Sequence, residues 1–146
     1  MTATDDLEIR AAGQDELGEV LAVWDAARSS YSTTPDSLEV LRRLRERDPE
    51  SLLVARRNGR VVGTLIAGWD GWRGNMYRLA VAAGYRRQGI GLALVRAGER
   101  RLRDRGARRV TALVGAEDDD AMALWRAARY EHDRNVSRFV KNLPGD

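Results

Sequence analysis

Apolar and polar residues alternate through Leu7-Glu8-Ile9-Arg10-Ala11, a rhythm that predicts a short first strand. From Gln14 to Ser29 the spacing lengthens to that of a helix, with Leu17, Val20, Leu21 and Trp24 on one stripe that asks to be buried. Tyr31 to Pro35 is a polar break. Ser37-Leu38-Glu39-Val40 then opens a second helix through Leu41 and Leu44, which Asp48-Pro49 stops because a residue before proline is driven out of the helical region. Leu52 to Ala55 and Val61 to Ala67 read as strands joined around Asn58-Gly59, two residues that tolerate the positive φ of a tight hairpin. Asp70-Gly71 marks the next turn, into a strand from Asn75 to Val81, so that three antiparallel strands follow one another.

A helix from Ile90 to Arg105 carries Leu94, Val95, Gly98 and Leu102 on one side and arginines on the other, with Gly106 as its stop. Val110 to Val114 is a strand, Asp118-Asp119-Asp120 an acidic start suited to the positive end of a helix dipole, and Ala121 to Ala128 the helix. Two last strands are expected at Glu131 to Asp133 and Ser137 to Leu143. The order is β-α-α-β-β-β-α-β-α-β-β. It predicts an α/β chain of the mixed α+β kind, with a central mixed, mostly antiparallel sheet of about seven strands and about four helices on its two faces. Repeats and linkers are absent, and 146 residues fit one domain over 1–146.

Charge adds less than its sign suggests. The 25 basic residues face 22 acidic ones for a net +3, and Lys141 is the only lysine. Arg100, Arg101, Arg103, Arg105, Arg108 and Arg109 are interleaved with acidic and apolar residues on a helix and its exit, which reads as a solvated face and not as a nucleic-acid groove. No apolar run approaches the roughly 20 residues that span a bilayer, and Met1 to Asp6 lacks the basic and apolar regions of a signal peptide. A cytoplasmic protein with no membrane or nucleic-acid partner is expected. Without cysteine there is neither a disulfide framework nor a Cys-ligated zinc, nor can the chain carry an acyl group as a thioester of its own. His132 is the only histidine and reads as a surface or hydrogen-bonded residue; no metal is expected.

The densest chemistry lies in Arg86-Arg87-Gln88-Gly89-Ile90-Gly91, between the apolar run Met76 to Val81 and the long helix. Glycines let the backbone approach a ligand, the first helical turn offers N–H groups and a positive dipole end, and two arginines add charge, a combination suited to a phosphate-bearing ligand. A plain strand-to-helix turn with solvated arginines is the bland alternative.

Three motifs coincide with the element order. Leu79-Ala80-Val81 precedes the Arg-x-x-Gly-x-Gly turn; Asp118-x-x-Ala121-x-x-Leu124-Trp125-x-x-x-Arg129-Tyr130 occupies the last helix; Val62-Gly63-Thr64 lies on the third strand. Together they resemble the GNAT superfamily of acetyl-CoA-dependent N-acetyltransferases from Leu7 to Leu143, and Gly68 to Gly74 resembles a subgroup of its small bacterial members. The resemblance implies acetyl-CoA as cosubstrate. Leu79, Ala80 and Val81 would line its pantetheine arm, Arg86, Arg87, Gln88, Gly89, Ile90 and Gly91 its pyrophosphate, and Asp118 and Trp125 would lie beside it.

The same resemblance implies direct attack by a primary amine, of a small molecule or a peptide, in a ternary complex without metal, with a backbone N–H near Val81 meeting the developing oxyanion. Trp125 stands where many members have a tyrosine that protonates the leaving thiolate. Indole donates a hydrogen bond but releases no proton near neutral pH, so Trp125 either steadies the sulfur or is a packed aromatic. Glu117 is the candidate base, or else a solvated loop acid; Tyr130, with Tyr77, is a further candidate proton donor. Arg129 replaces the family's glycine, so a different helix cap is expected. Arg28, Tyr31 and Asn135 fall in segments where the family binds its acceptor, while Trp24 reads as core. A homodimer is compatible with this reading. The rival is a non-catalytic CoA-binding sensor or interaction module, to which the missing tyrosine gives weight.

Overall fold

The computed structural model describes residues 6–27 and 36–145. Its elements are β1 (Glu8–Ala11), a 3-10 turn (Gln14–Glu16), α1 (Leu17–Ala26), α2 (Leu38–Arg47), β2 (Leu52–Arg57), β3 (Arg60–Trp69), β4 (Gly74–Val81), a second 3-10 turn (Ala83–Tyr85), α3 (Ile90–Asp104), β5 (Val110–Ala112) and α4 (Asp119–Ala127). The strands form one sheet in the order β1-β2-β3-β4-β5, antiparallel except where β5 runs parallel to β4.

Alternation in β2 shows how the sheet is covered. Leu52 and Val54 pack with Leu17, Val20, Trp24 and Leu41 of α1 and α2, whereas Leu53 and Ala55 pack with Leu94, Val95 and Leu102 of α3. Helices therefore lie on both faces, as the period-two pattern requires. Asn58 and Gly59 take the positive φ values of 56° and 74° that a tight hairpin demands. Ser37 caps α2, its hydroxyl accepting the Val40 N–H at 3.1 Å.

Three expectations are corrected. The first helix opens with the 3-10 turn, where Glu16 is held: its carboxylate accepts from Arg10 at 2.6 and 2.8 Å, from Arg56 at 2.6 Å and from the Gly13 N–H at 2.7 Å. The arginine face of α3 is not wholly solvated. Arg101, whose side chain is 8% exposed, donates to the Ala67 carbonyl at 3.0 Å and to Asp48, tying α3 to β3 and to the turn after α2.

The two last strands do not form, and among the described residues the sheet has five strands where about seven were expected. Residues 131–145 make no strand, and Val136, Phe139, Val140 and Leu143 are exposed. Their spacing gives the physical reason, because Phe139 and Val140 are adjacent and point to opposite faces of any strand, so neither face is consistently apolar. β5 compounds this, since three residues offer a further strand little edge to pair with.

Candidate active site

β5 pairs with β4 only from Gly74 to Met76. The Leu113 N–H still reaches the Met76 carbonyl at 3.2 Å, and beyond that point β4 continues through Val81 with, among the described residues, a strand partner on its β3 side alone. A gap thus opens between β4 and the chain that continues β5. The ladder determines what faces it. Ala82 donates to the Val62 carbonyl at 2.8 Å, so by antiparallel alternation Val81, opposite Gly63, turns its N–H and C=O away from β3 and toward the gap. Consistently, the Val81 carbonyl accepts from Arg86 Nε at 3.1 Å.

Within this edge lies a bulge. Ile66 pairs with Tyr77 and Thr64 with Ala80, leaving Arg78 and Leu79 both opposite Leu65. Arg78 takes φ +55°, rare for a side chain with a Cβ. One consequence is a change of face: Met76, Leu79 and Val81 all pack toward α3 although 76 and 79 are an odd number apart, while Ala80 packs toward α1.

At the end of β4 the chain enters α3 through Arg87 at φ +62° and Gly89 at φ +80°. No side chain caps this helix, so the N–H groups of its first turn lie open beside the exposed residues Arg86 to Gly89. Backbone donors, the positive end of a fifteen-residue helix and two arginines fit a pyrophosphate. Gln88 is fixed from β2, its side-chain carbonyl accepting from Arg57. The two glycines serve different ends. Gly89 is required by its φ, with nothing near its missing Cβ, whereas a Cβ on Gly91 would lie 2.6 Å from Leu124 Cδ1 of α4. Ile90 is buried in the core, where it anchors the start of the helix.

The remaining candidates separate. Trp125 is 6% exposed and packs edge-on against Tyr130, ring centroids 4.9 Å apart. The Tyr130 hydroxyl donates to Glu99 of α3 at 2.7 Å, and burial followed by that bond raises its pKa above the usual tyrosine range. Asp118 caps α4, accepting the Ala121 N–H at 3.0 Å. Glu117 is exposed on the loop leaving β5. Burial raises the Tyr77 pKa. Asn135 lies on the exposed C-terminal segment, where its N–H bonds Asp133 at 3.0 Å, and His132 is exposed nearby. Arg28 and Tyr31 lie outside the described residues.

Arg129 corrects one expectation. It sits at φ +71° with its N–H on the Arg126 carbonyl and the next N–H, of Tyr130, on the Trp125 carbonyl, both at 2.9 Å. This is the same left-handed cap a glycine would make, adopted by an arginine.

Sequence reasoning missed the residues on the α1 side of the bulge. Trp24 Nε1 donates to the Thr64 hydroxyl at 2.8 Å, and Thr64 Oγ1 donates to the Arg78 carbonyl at 2.9 Å. The Arg78 guanidinium lies 4.9 Å over the Trp24 ring and pairs with Asp36. The one available signal was Thr64, a polar residue inside an apolar strand.

An edge of β4 left unpaired up to a helix start that suits pyrophosphate agrees with the comparisons. The acetyltransferase (GNAT) family pattern matches residues 20–129. An acetyltransferase of Sodalis glossinidius is 31% identical over 140 residues, 96% of this chain and 98% of that protein. One from Photorhabdus laumondii is 33% identical over 139 residues, 94% and 96% of the two chains. Among solved structures, an aminoglycoside acetyltransferase from an uncultured soil metagenomic sample superposes with TM-score 0.76 at 23% identity, covering 97% of this chain and 99% of that one. A ribosomal-protein-alanine N-acetyltransferase from Brucella melitensis gives TM-score 0.68 at 30% identity, covering 82% of each. These findings favour acetyl transfer over a non-catalytic binding module, and the chain belongs to the acetyltransferase (GNAT) family as an acetyl-CoA-dependent N-acetyltransferase.

Proposed function

We propose that the chain transfers the acetyl group of acetyl-CoA to a primary amine by direct attack in a ternary complex, in the gap beside β4. The observation that carries this reading is the backbone edge from Tyr77 to Val81, unpaired on the β5 side and ending at the open N-terminus of α3. Acetyl-CoA supplies an activated acyl group as a thioester. Leu79 and Val81 hydrogen-bond its pantetheine arm as a neighbouring strand would, and the amides from Arg87 to Gly91 hold its pyrophosphate, with Arg86 and Arg87 adding charge.

The bulge refines the reading of the oxyanion site. The Val81 and Leu79 amides both lie off the β3 ladder; Val81, in regular register with Gly63, suits the pantetheine arm as a strand partner, which leaves the irregular peptide between Arg78 and Leu79 to aim its N–H at the thioester carbonyl. Glu117, exposed on the loop that leaves β5, takes the proton of the incoming ammonium directly or through water. Tyr130 is engaged by Glu99 and its raised pKa makes it a poor acid, so the leaving thiolate takes its proton from solvent. Trp125 serves as packing.

The acceptor is approached from the α1 side, where Arg78, Trp24 and Asp36 meet. Amine acceptors of both kinds occur among similar folds, an aminoglycoside in one and a ribosomal-protein alanine in another. The test is release of free thiol from acetyl-CoA in the presence of peptide and small-molecule amines, each with an enzyme-free control. Acceptor-dependent release is expected; tight CoA binding with no release for any amine would instead favour the sensor.

A further inference from the structure

Among the described residues three polar or charged residues are buried, Glu16, Ser51 and Thr64, beside the Arg101 side chain already seen to tie α3 to β3. Two have local duties. Glu16 is surrounded by Arg10, Arg56 and the Gly13 amide, and Ser51 closes the turn after α2 by donating to the Asp48 carbonyl at 2.8 Å. Thr64 is fully buried, and valine would fill the same volume in a strand with no polar atom to satisfy. Its hydroxyl spans instead from α1 to the bulge of β4.

The direction of that chain of hydrogen bonds is fixed by chemistry. An indole N–H can only donate and a carbonyl can only accept, so Thr64 must accept from Trp24 and give its single proton to Arg78. The Arg78 carbonyl and the Leu79 N–H belong to one planar trans peptide and point in opposite directions; among the described residues there is no cis bond. Drawing the carbonyl toward Thr64 therefore sends the Leu79 N–H the other way, off the α1 side. Arg78 sits at a left-handed φ that is costly for a residue with a Cβ, so the bulge needs to be held. It is held twice from the same side, at its carbonyl by Thr64 and at its guanidinium by Trp24 and Asp36.

We propose that Thr64, fixed in turn by Trp24, is a positioning residue for acetyl transfer: by pinning the Arg78 carbonyl it aims the Leu79 amide at the thioester carbonyl. The inference rests on the proposed reaction in the gap beside β4. Thr64 touches neither substrate, and the Leu79 amide bonds the carbonyl oxygen most strongly once that oxygen carries the oxyanion charge, so misdirecting it falls on the chemical step far more than on cosubstrate affinity.

The test compares Thr64→Val, which keeps the shape and removes both bonds, with Thr64→Ser, which keeps the hydroxyl. Thr64→Val should lower kcat by about 10- to 100-fold, part of what loss of an oxyanion donor costs, with KM for acetyl-CoA and CoA affinity within about twofold of the parent. Thr64→Ser should recover most of the lost kcat. A folded Thr64→Val protein with unchanged kcat overturns the inference, as does a Thr64→Ser protein as slow as Thr64→Val, which would assign the role to the methyl group. Trp24→Phe removes one donor only and should lower kcat less, again without moving KM for acetyl-CoA; it serves if Thr64→Val does not fold. The Leu79 amide resonance reads the geometry without turnover. In Thr64→Val it should move and exchange faster while the Gly89 to Gly91 amides stay in place. An unchanged Leu79 resonance overturns the inference whatever the activity. A shifted Leu79 resonance in a protein that acetylates no amine upholds the positioning and counts against the proposed reaction instead.

Discussion

Tyr130 gives its hydroxyl proton to Glu99 across 2.7 Å, binding the end of α4 to α3. A phenol so engaged, with its pKa raised by burial and by that carboxylate, is a structural strut. Tyr130→Phe should therefore keep kcat within about threefold while stability falls by about 1–2 kcal/mol for the lost charge-assisted bond. Steady-state rates and denaturant melts check both. A loss of about 100-fold, the size of a general-acid contribution, would return the tyrosine to the chemistry.

Arg129 occupies a glycine conformation. Replacing it by glycine should relieve strain at φ +71° and stabilise the protein by about 1 kcal/mol, raising the melting temperature by a few degrees. Calorimetry decides; a lower melting temperature would mean that the arginine side chain makes up for its backbone.

Gly89 and Gly91 should fail differently when substituted. Gly89→Val forces a branched residue into φ +80° at the mouth of α3, so CoA affinity should drop at least tenfold with most of the stability retained. Gly91→Ala places a methyl 2.6 Å from Leu124 Cδ1, the end of a half-buried side chain that can turn aside, and should act first on stability, by about 1 kcal/mol or less, through the contact with α4. Titration calorimetry paired with melting separates the two. Equal effects on both readouts would contradict the division of labour.

Glu16 predicts an acid limit to stability. Hydrogen bonds from Arg10 lead the causes that lower its pKa from 4.5 to about 2, against the opposing effect of burial. A carboxylate whose folded pKa is depressed stabilises the protein fully above its unfolded value and loses that contribution as pH falls through the folded one. Stability should therefore decline between pH 4.5 and about 2. Glu16→Gln should flatten that decline and cost about 3 kcal/mol at neutral pH, because two arginines lose their partner. Urea melts across the pH range test this; an unchanged acid slope in the variant would assign the decline to other carboxylates.

The strands and helices through α4 were legible because each carries one clear period and a chemical stop, such as Asp48-Pro49 or Gly106. The loop Arg86 to Gly91 was legible because glycine and arginine crowd into it. The bulge was not. A shift of one residue between Met76 and Leu79 leaves every side chain apolar or plausible on either face, and only the partner Leu65 reveals it. Nor was the Trp24–Thr64–Arg78 chain visible, since it joins residues 40 and 14 positions apart that each read separately as core or surface. Arg129 misled in the opposite sense, because glycine is the usual but not the necessary occupant of a left-handed cap. The terminal strands were read from short apolar stretches whose alternation is poor, and the structure does not form them.

The most direct test of the central claim is to follow backbone amide resonances while CoA is added to the folded protein. Progressive shifts at Leu79, Val81 and the amides from Arg87 to Gly91, with little change in β1 and β2, are the result expected of a cosubstrate lying in the gap beside β4 and ending at α3. Shifts confined to another face, or saturation without any change at Gly89 and Val81, would contradict it.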